Sequence, residues 1–167
     1  MSMPDRVGRA LPLLPSVLDR LIDDAPELST EPPKQSAQLL RELKQAVRRD
    51  LERLLNTRWR CVSWPPSLQE LDYSVVNYGI PDFTSAHLRA AEDPDVLCAV
   101  IKSAIEHFEP RLKNVRVDPV ENSQELDRTL RFRIDAVLTV EPIEDRVLFN
   151  STVEPTTGNF HVEGGVR

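Results

Sequence analysis

The sequence predicts an α+β domain in which amphipathic helices pack on a small, mostly antiparallel sheet of three or four strands, behind a proline-rich N-terminal arm. Two patterns carry this expectation. Leu40, Leu43, Val47, Leu51 and Leu54 recur at steps of three and four, the repeat of one helix face. Leu130, Phe132, Ile134, Ala136, Leu138 and Val140 recur at steps of two, the repeat of one sheet face. A chain of 167 residues, 40% hydrophobic and 29% charged, is long enough to bury one such core.

Residues 1–33 form the predicted arm. Pro4, Pro12, Pro15, Pro26, Pro32 and Pro33 fix φ and remove N–H donors too often for a long helix. Ser16 is placed to cap one short helix whose Val17, Leu18, Leu21 and Ile22 make a small apolar face. That face needs cover, either from the chain's own domain or from a partner surface. Residues 34–167 are then the folded domain.

The first long helix runs from Lys34 to about Thr57, with Asn56 as its terminator, and Pro65-Pro66 blocks any extension past Trp64. Leu68 to Val76 supplies a further short helix, and Asn77, Gly79 and Pro81 mark a turn-rich stretch. The next helix starts with Asp93 as cap and Pro94 at the first helical position, where no donor is required. Its buried face reads Leu97, Val100, Ile101, Ala104, Ile105 and Phe108, and Pro110 ends it at Phe108 or Glu109. Beyond Leu112 the period becomes two. A short run at Val115 and Val117 precedes the strand of Leu130 to Val140, and Val147, Phe149, Ser151 and Val153 form a third strand across a hairpin. A turn at Thr156 to Asn159 leads to a last strand at Phe160 to Val162.

The net charge of -6 argues against a nucleic-acid partner, because phosphate neutralisation needs a concentrated basic surplus. Arg41, Lys44, Arg48, Arg49, Arg53, Arg58 and Arg60 are interleaved with Glu42, Asp50 and Glu52 and read as a solvated helix face. Cys61 and Cys98 are too few for a disulfide framework. The N-terminal residues lack the continuous apolar stretch of a signal peptide, and no run of about 18 apolar residues offers a membrane span. Membrane proximity would have to come through a partner.

The search for chemistry is mostly negative. Five glycines make neither a Walker pattern nor G-x-G-x-x-G, so no nucleotide cofactor is expected. His87, His107 and His161 lack metal-ligand spacing, and Cys98 and His107 face different directions on one helix. Glu106, Glu109, Glu121, Glu125 and Asp127 are the candidates for an acid and base pair, but solvated glutamates of this kind are ordinary in acidic domains. Glu109-Pro110-Arg111 stands apart. A glutamate in the last helical turn has the wrong sign for the helix dipole, which points to a specific cationic partner, either Arg111 or a group on another chain.

Three segments, in this order, carry a resemblance: Leu51-Glu52-Arg53-Leu54-Leu55-Asn56-Thr57-Arg58, Asn77-Tyr78-Gly79-Ile80-Pro81-Asp82 and Phe108-Glu109-Pro110-Arg111-Leu112. Together with Leu13 to Asp24 they resemble the TssE subunits of type VI secretion baseplates, in the phage baseplate wedge family once called lysozyme-like. The resemblance implies a cytoplasmic structural adaptor in a baseplate docked at the inner membrane through partners. It would join the wedge proteins TssF and TssG, with TssK nearby, to the first layer of a contractile sheath of TssB and TssC. Glu109, Pro110 and Arg111 match the corner that this family uses to engage the sheath. No catalytic residue, metal or cofactor is implied. The sheet's edge strands offer main-chain pairing to neighbours. Two other readings stand beside this one. A peptidoglycan-cleaving glycosidase would need two carboxyl groups about 5–9.5 Å apart, one of them held protonated. A binding module unrelated to secretion makes no such demand.

Overall fold

The structure is a computed structural model that describes residues 16–22, 26–27, 35–59, 63–82, 94–121, 129–140, 143–154 and 157–165. Most of the proline-rich arm lies outside the described residues, as do Lys34, Arg60, Cys61, His87, Asp93, Glu125 and Asp127.

Among the described residues three helices precede the sheet: α1 (Val17–Leu21), α2 (Ser36–Asn56) and α3 (Pro94–Phe108), with 3-10 turns at Pro66–Tyr73 and Val75–Asn77 between the last two. Four strands follow, β1 (Leu112–Val120), β2 (Leu130–Val140), β3 (Ile143–Val153) and β4 (Phe160–Gly164), pairing antiparallel in chain order. The predicted α+β class holds, with four strands. One sheet face carries Phe132, Ile134, Ala136 and Leu138 of β2 and Val147, Phe149 and Val153 of β3, all buried. α3 packs towards the β1 side and α2 towards the β4 side. Leu51, Leu55, Ile101 and Ile105 are fully buried between them. Each such side chain contributes about 1.5–3 kcal/mol of transfer free energy.

β1 is longer than its sequence suggests, because Lys113, Asn114, Arg116 and Asp118 interrupt the alternation. Asn114 has φ 54 and lies in a register shift between Lys113 and Arg116, a bulge that brings Val115 back to the core face. Asparagine tolerates this left-handed conformation better than most residues.

The two sheet edges differ, which corrects the expectation that both terminal strands are open to pairing. At β4, the Asn56 side-chain amide acts as a substitute strand. Its Nδ2 donates to the Phe160 carbonyl at 2.8 Å and its Oδ1 accepts from the Phe160 N–H at 2.8 Å. Arg48 donates to the Val162 carbonyl at 2.9 Å. The residue read as a helix terminator thus also closes the sheet. Replacing Asn56 with alanine is expected to cost about 1–2 kcal/mol and to speed exchange of the Phe160 amide, since both backbone groups lose their partners. Amide exchange followed by NMR checks this; unchanged protection at Phe160 would contradict it. β1 is the remaining edge, blunted by its bulge and by Pro119, which has no N–H.

Most of the described members of the basic run are fasteners between elements and not a solvated face, a second correction. Lys44 is buried and pairs with Asp145 of β3 at 2.8 Å. Arg49 pairs with Asp19 and so ties α1 to α2. Arg58 donates to the Leu55 carbonyl at 2.8 Å and to the Gly158 carbonyl at 2.5 Å. Individual basic residues at helix spacing look alike in sequence whether they meet water or a carboxylate from a distant strand. α1 keeps the predicted Ser16 cap, with the hydroxyl accepting from the Asp19 N–H at 3.2 Å, while Val17, Leu18, Leu21 and Ile22 remain exposed.

One core position is mismatched. Ser151 is 1% exposed on the inner face of β3, and its hydroxyl has no hydrogen-bond partner among the described residues. A buried polar group left unpaired costs about 1–3 kcal/mol. Ser151→Ala is therefore expected to raise the urea midpoint with an unchanged denaturant slope; a clear fall in the midpoint would show that the hydroxyl is satisfied in solution.

Candidate partner-binding corner

The turn from α3 into β1 is stitched on three sides. The Glu109 N–H donates to the Ile105 carbonyl at 2.9 Å, completing the last helical turn. The Leu112 N–H donates to the Glu109 carbonyl at 3.0 Å, closing a β-turn with Pro110 in the position that its fixed φ favours. The Thr139 N–H donates to the Arg111 carbonyl at 2.8 Å, joining the corner to β2. Pro110 itself is exposed.

Within this frame Glu109 is 6% exposed and its cationic partner is Arg111, one of the two options open from sequence. Arg111 Nε donates to Glu109 Oε1 at 2.5 Å and Nη2 donates to Glu109 Oε2 at 2.6 Å, a bidentate fork. Nη2 also donates to Asp50 Oδ2 on α2 at 2.7 Å. The Glu109 hydrogen bond, opposed by burial and reinforced by Asp50, holds the guanidinium protonated far beyond its ordinary range. The arginine fork is thus largely used within the chain. Asp50 was not singled out in the sequence, because it stands 61 residues away from Arg111 among unremarkable helix-surface charges.

Aromatic packing fixes the same helix end. The Phe108 ring meets Tyr78 edge to face with centroids 5.2 Å apart. His107 stacks on Tyr73 at 4.2 Å, and its Nε2 contacts the Asp72 carbonyl at 2.8 Å. A carbonyl only accepts, so Nε2 carries the proton of that ring. Burial, followed by the Asp50 and Glu109 charges, pushes the Tyr78 hydroxyl upward, with Arg53 acting in the opposite direction. Beside the corner lies an open cleft of about 530 Å³, lined by Leu43, Tyr78, Phe108 and Val140 together with Asp50, Glu109 and Arg111.

The other candidates among the described residues do not assemble. Glu106 is exposed near Lys102 at 3.9 Å, and Glu121 is exposed. Among the described residues no group of three or more His, Cys, Asp or Glu is arranged to hold a metal ion. Cys98 is buried, as expected of a helix residue near the core, and burial with nearby Asp95 and Asp118 pushes its thiol up to about 11.

A family model for the baseplate wedge protein gp25 matches residues 41–143. The chain belongs to this baseplate wedge family. The matched span runs from α2 through the corner to the start of β3, so it contains Asp50, Tyr78, Glu109, Pro110 and Arg111. Membership of the wedge family makes the chain a structural baseplate component. A similar solved structure is a chain described as "The baseplate complex from the type VI secretion system", with 21% identity, 68% of this chain and 96% of that chain covered, and a TM-score of 0.45. No curated protein matches.

Proposed function

We propose that this wedge-family chain is the TssE-type adaptor of a type VI secretion baseplate, acting without catalysis. In this role it joins TssF and TssG, with TssK nearby, to the first layer of a sheath of TssB and TssC. Glu109, Pro110 and Arg111 are its partner-binding corner. The baseplate stands in the cytoplasm and reaches the inner membrane through partners. Among the described residues no helix is long and apolar enough to cross a membrane.

The observation that carries this reading is the corner itself. A nearly buried glutamate is neutralised by an arginine two residues away, and that arginine is held in turn by Asp50 of α2. Burying ions is costly, and apolar residues often stabilise a fold as well, so such a triad is better explained by a shape it maintains than by stability alone. What it maintains is a rigid, proline-topped turn beside an open apolar cleft. The β1 edge, β4 being closed, supplies contact area through its exposed side chains. The N-terminal segment, with α1 exposing its apolar side, docks on the wedge.

The glycosidase reading has less support. The carboxyl groups in the cleft, Asp50 and Glu109, are both engaged by one guanidinium, whereas a general acid needs surroundings that favour its protonated form.

Tagged protein purified from its native host under assembly-preserving conditions should bring down wedge and sheath proteins. Recovery of neither would remove the adaptor assignment and make hydrolysis of cell-wall glycan the next assay.

A further inference from the structure

We propose that the cleft beside the corner receives a basic side chain, arginine in particular, carried on an apolar segment of a partner chain. This rests on the corner being an interface and names the chemistry that fills it.

The cleft's volume, about 530 Å³, lies within the range of roughly 300–1,000 Å³ that accommodates compact ligands. Its walls combine two features seldom found together on a solvated surface. Tyr78 and Phe108 present aromatic rings, and Asp50, with 25% of its side chain exposed, presents a carboxylate beside the nearly buried Glu109. Arg111 neutralises one of these two charges. Arg53, the other cation near Asp50, stands 3.8 Å from it, beyond hydrogen-bond range, and its side chain is 53% exposed. Of the charged residues that line the cleft, Asp50 and Glu109 are acidic and Arg111 basic, while Arg53 is not part of the lining, so the lining itself is anionic by one charge. Tyr78 reports the same sign, since the two carboxylates act on its hydroxyl more strongly than Arg53 does.

An incoming carboxylate would meet Asp50 and Glu109 with most of Arg111's donors already used. A neutral apolar residue would leave the Asp50 oxygens to be desolvated without return. A guanidinium does neither, because its plane stacks on an aromatic ring while its N–H groups reach carboxylate oxygens. The apolar character of the flanking segment follows from the rim. Leu43, Phe108 and Val140 line the cleft together with Ser16, the cap of α1, so the surface around the carboxylates is largely apolar. Asp19 and Arg49 hold α1 in that place, one residue along α2 from Asp50.

The test uses the full-length, isotope-labelled protein and an amidated peptide in which one arginine is flanked by leucines. A second peptide replaces that arginine with citrulline, which keeps the shape and removes the charge. The arginine peptide should shift the amides of Tyr78, Leu112 and Thr139 in a saturable way, and citrulline should weaken binding by about tenfold or more, as expected for loss of a charged hydrogen bond. Asp50→Asn should weaken the arginine peptide similarly. Equal binding of both peptides, no binding at millimolar concentration, or shifts confined to another surface would overturn the proposal. The peptide comparison needs only the wild-type protein, so it decides the matter even if Asp50→Asn does not fold. Copurification of wedge and sheath proteins tests the adaptor reading separately, so failure of the peptide alone removes the cleft chemistry and leaves that reading in place.

Discussion

Arg111→Ala is expected to destabilise the protein by about 3–5 kcal/mol, lowering the thermal midpoint by roughly 10 °C. The reason lies in what remains after the guanidinium is gone. Glu109 is 6% exposed and Asp50 has 25% of its side chain exposed, so two carboxylates on facing elements are left without the charge between them. Glu109→Ala should be milder, because Arg111 keeps Asp50. The double variant, Glu109→Ala with Arg111→Ala, should also cost less than Arg111→Ala alone, since only the more exposed Asp50 loses its partner, and Arg53 stays 3.8 Å from it. Urea unfolding of the three variants checks the order. A loss below about 1 kcal/mol for Arg111→Ala would place this triad with ordinary surface ion pairs.

Gly79→Ala should cost about 2–4 kcal/mol, for a reason of geometry alone. Gly79 has φ +115, a conformation that side chains rarely adopt, and a Cβ there would lie 2.3 Å from the Thr57 carbonyl oxygen. That oxygen cannot simply retreat. It accepts from the Ile80 N–H at 2.9 Å, while the Ile80 carbonyl accepts from the Trp59 N–H at 3.1 Å, and these bonds hold the chain after α2 against the turn. Ile80 is fully buried, so displacement would also open the core. Tyr78, one residue before, would lose its place against Phe108 and loosen the cleft. Chemical unfolding together with exchange of the Ile80 and Trp59 amides measures both effects. A variant as stable as the wild type would show that the turn readily adopts another conformation.

The periodic parts of the fold were legible in the sequence for a physical reason. The α2 stripe, the Pro94 start and Phe108 end of α3, and the alternation along β2 and β3 all record burial of one face. β1 was only partly legible, because an edge strand with a bulge at Asn114 and polar residues around it breaks the period of two. Contacts between a side chain and distant backbone left no local mark. Asn56 ends α2, as read, but its bonds to Phe160 bridge 104 residues and cannot be inferred from helix chemistry.

The corner shows the same division. The dipole argument found Glu109 and offered Arg111 as a partner, and the structure pairs them at 2.5 Å. What spacing could not supply was Asp50, whose contact depends on how α2 crosses the end of α3. Nor could it show that the basic residues of α2 face specific carboxylates and carbonyls. These are outcomes of tertiary packing, and they turn a short motif into a rigid surface.

The central claim is that the corner binds a partner and is not merely a structural turn. The most direct measurement compares wild type with the Glu109→Ala, Arg111→Ala double variant by copurification from the native host, with the thermal midpoint of each purified protein as a control. The account predicts that the folded double variant still captures wedge proteins but loses the sheath. Full retention of the sheath by a variant that lacks both charges would contradict it.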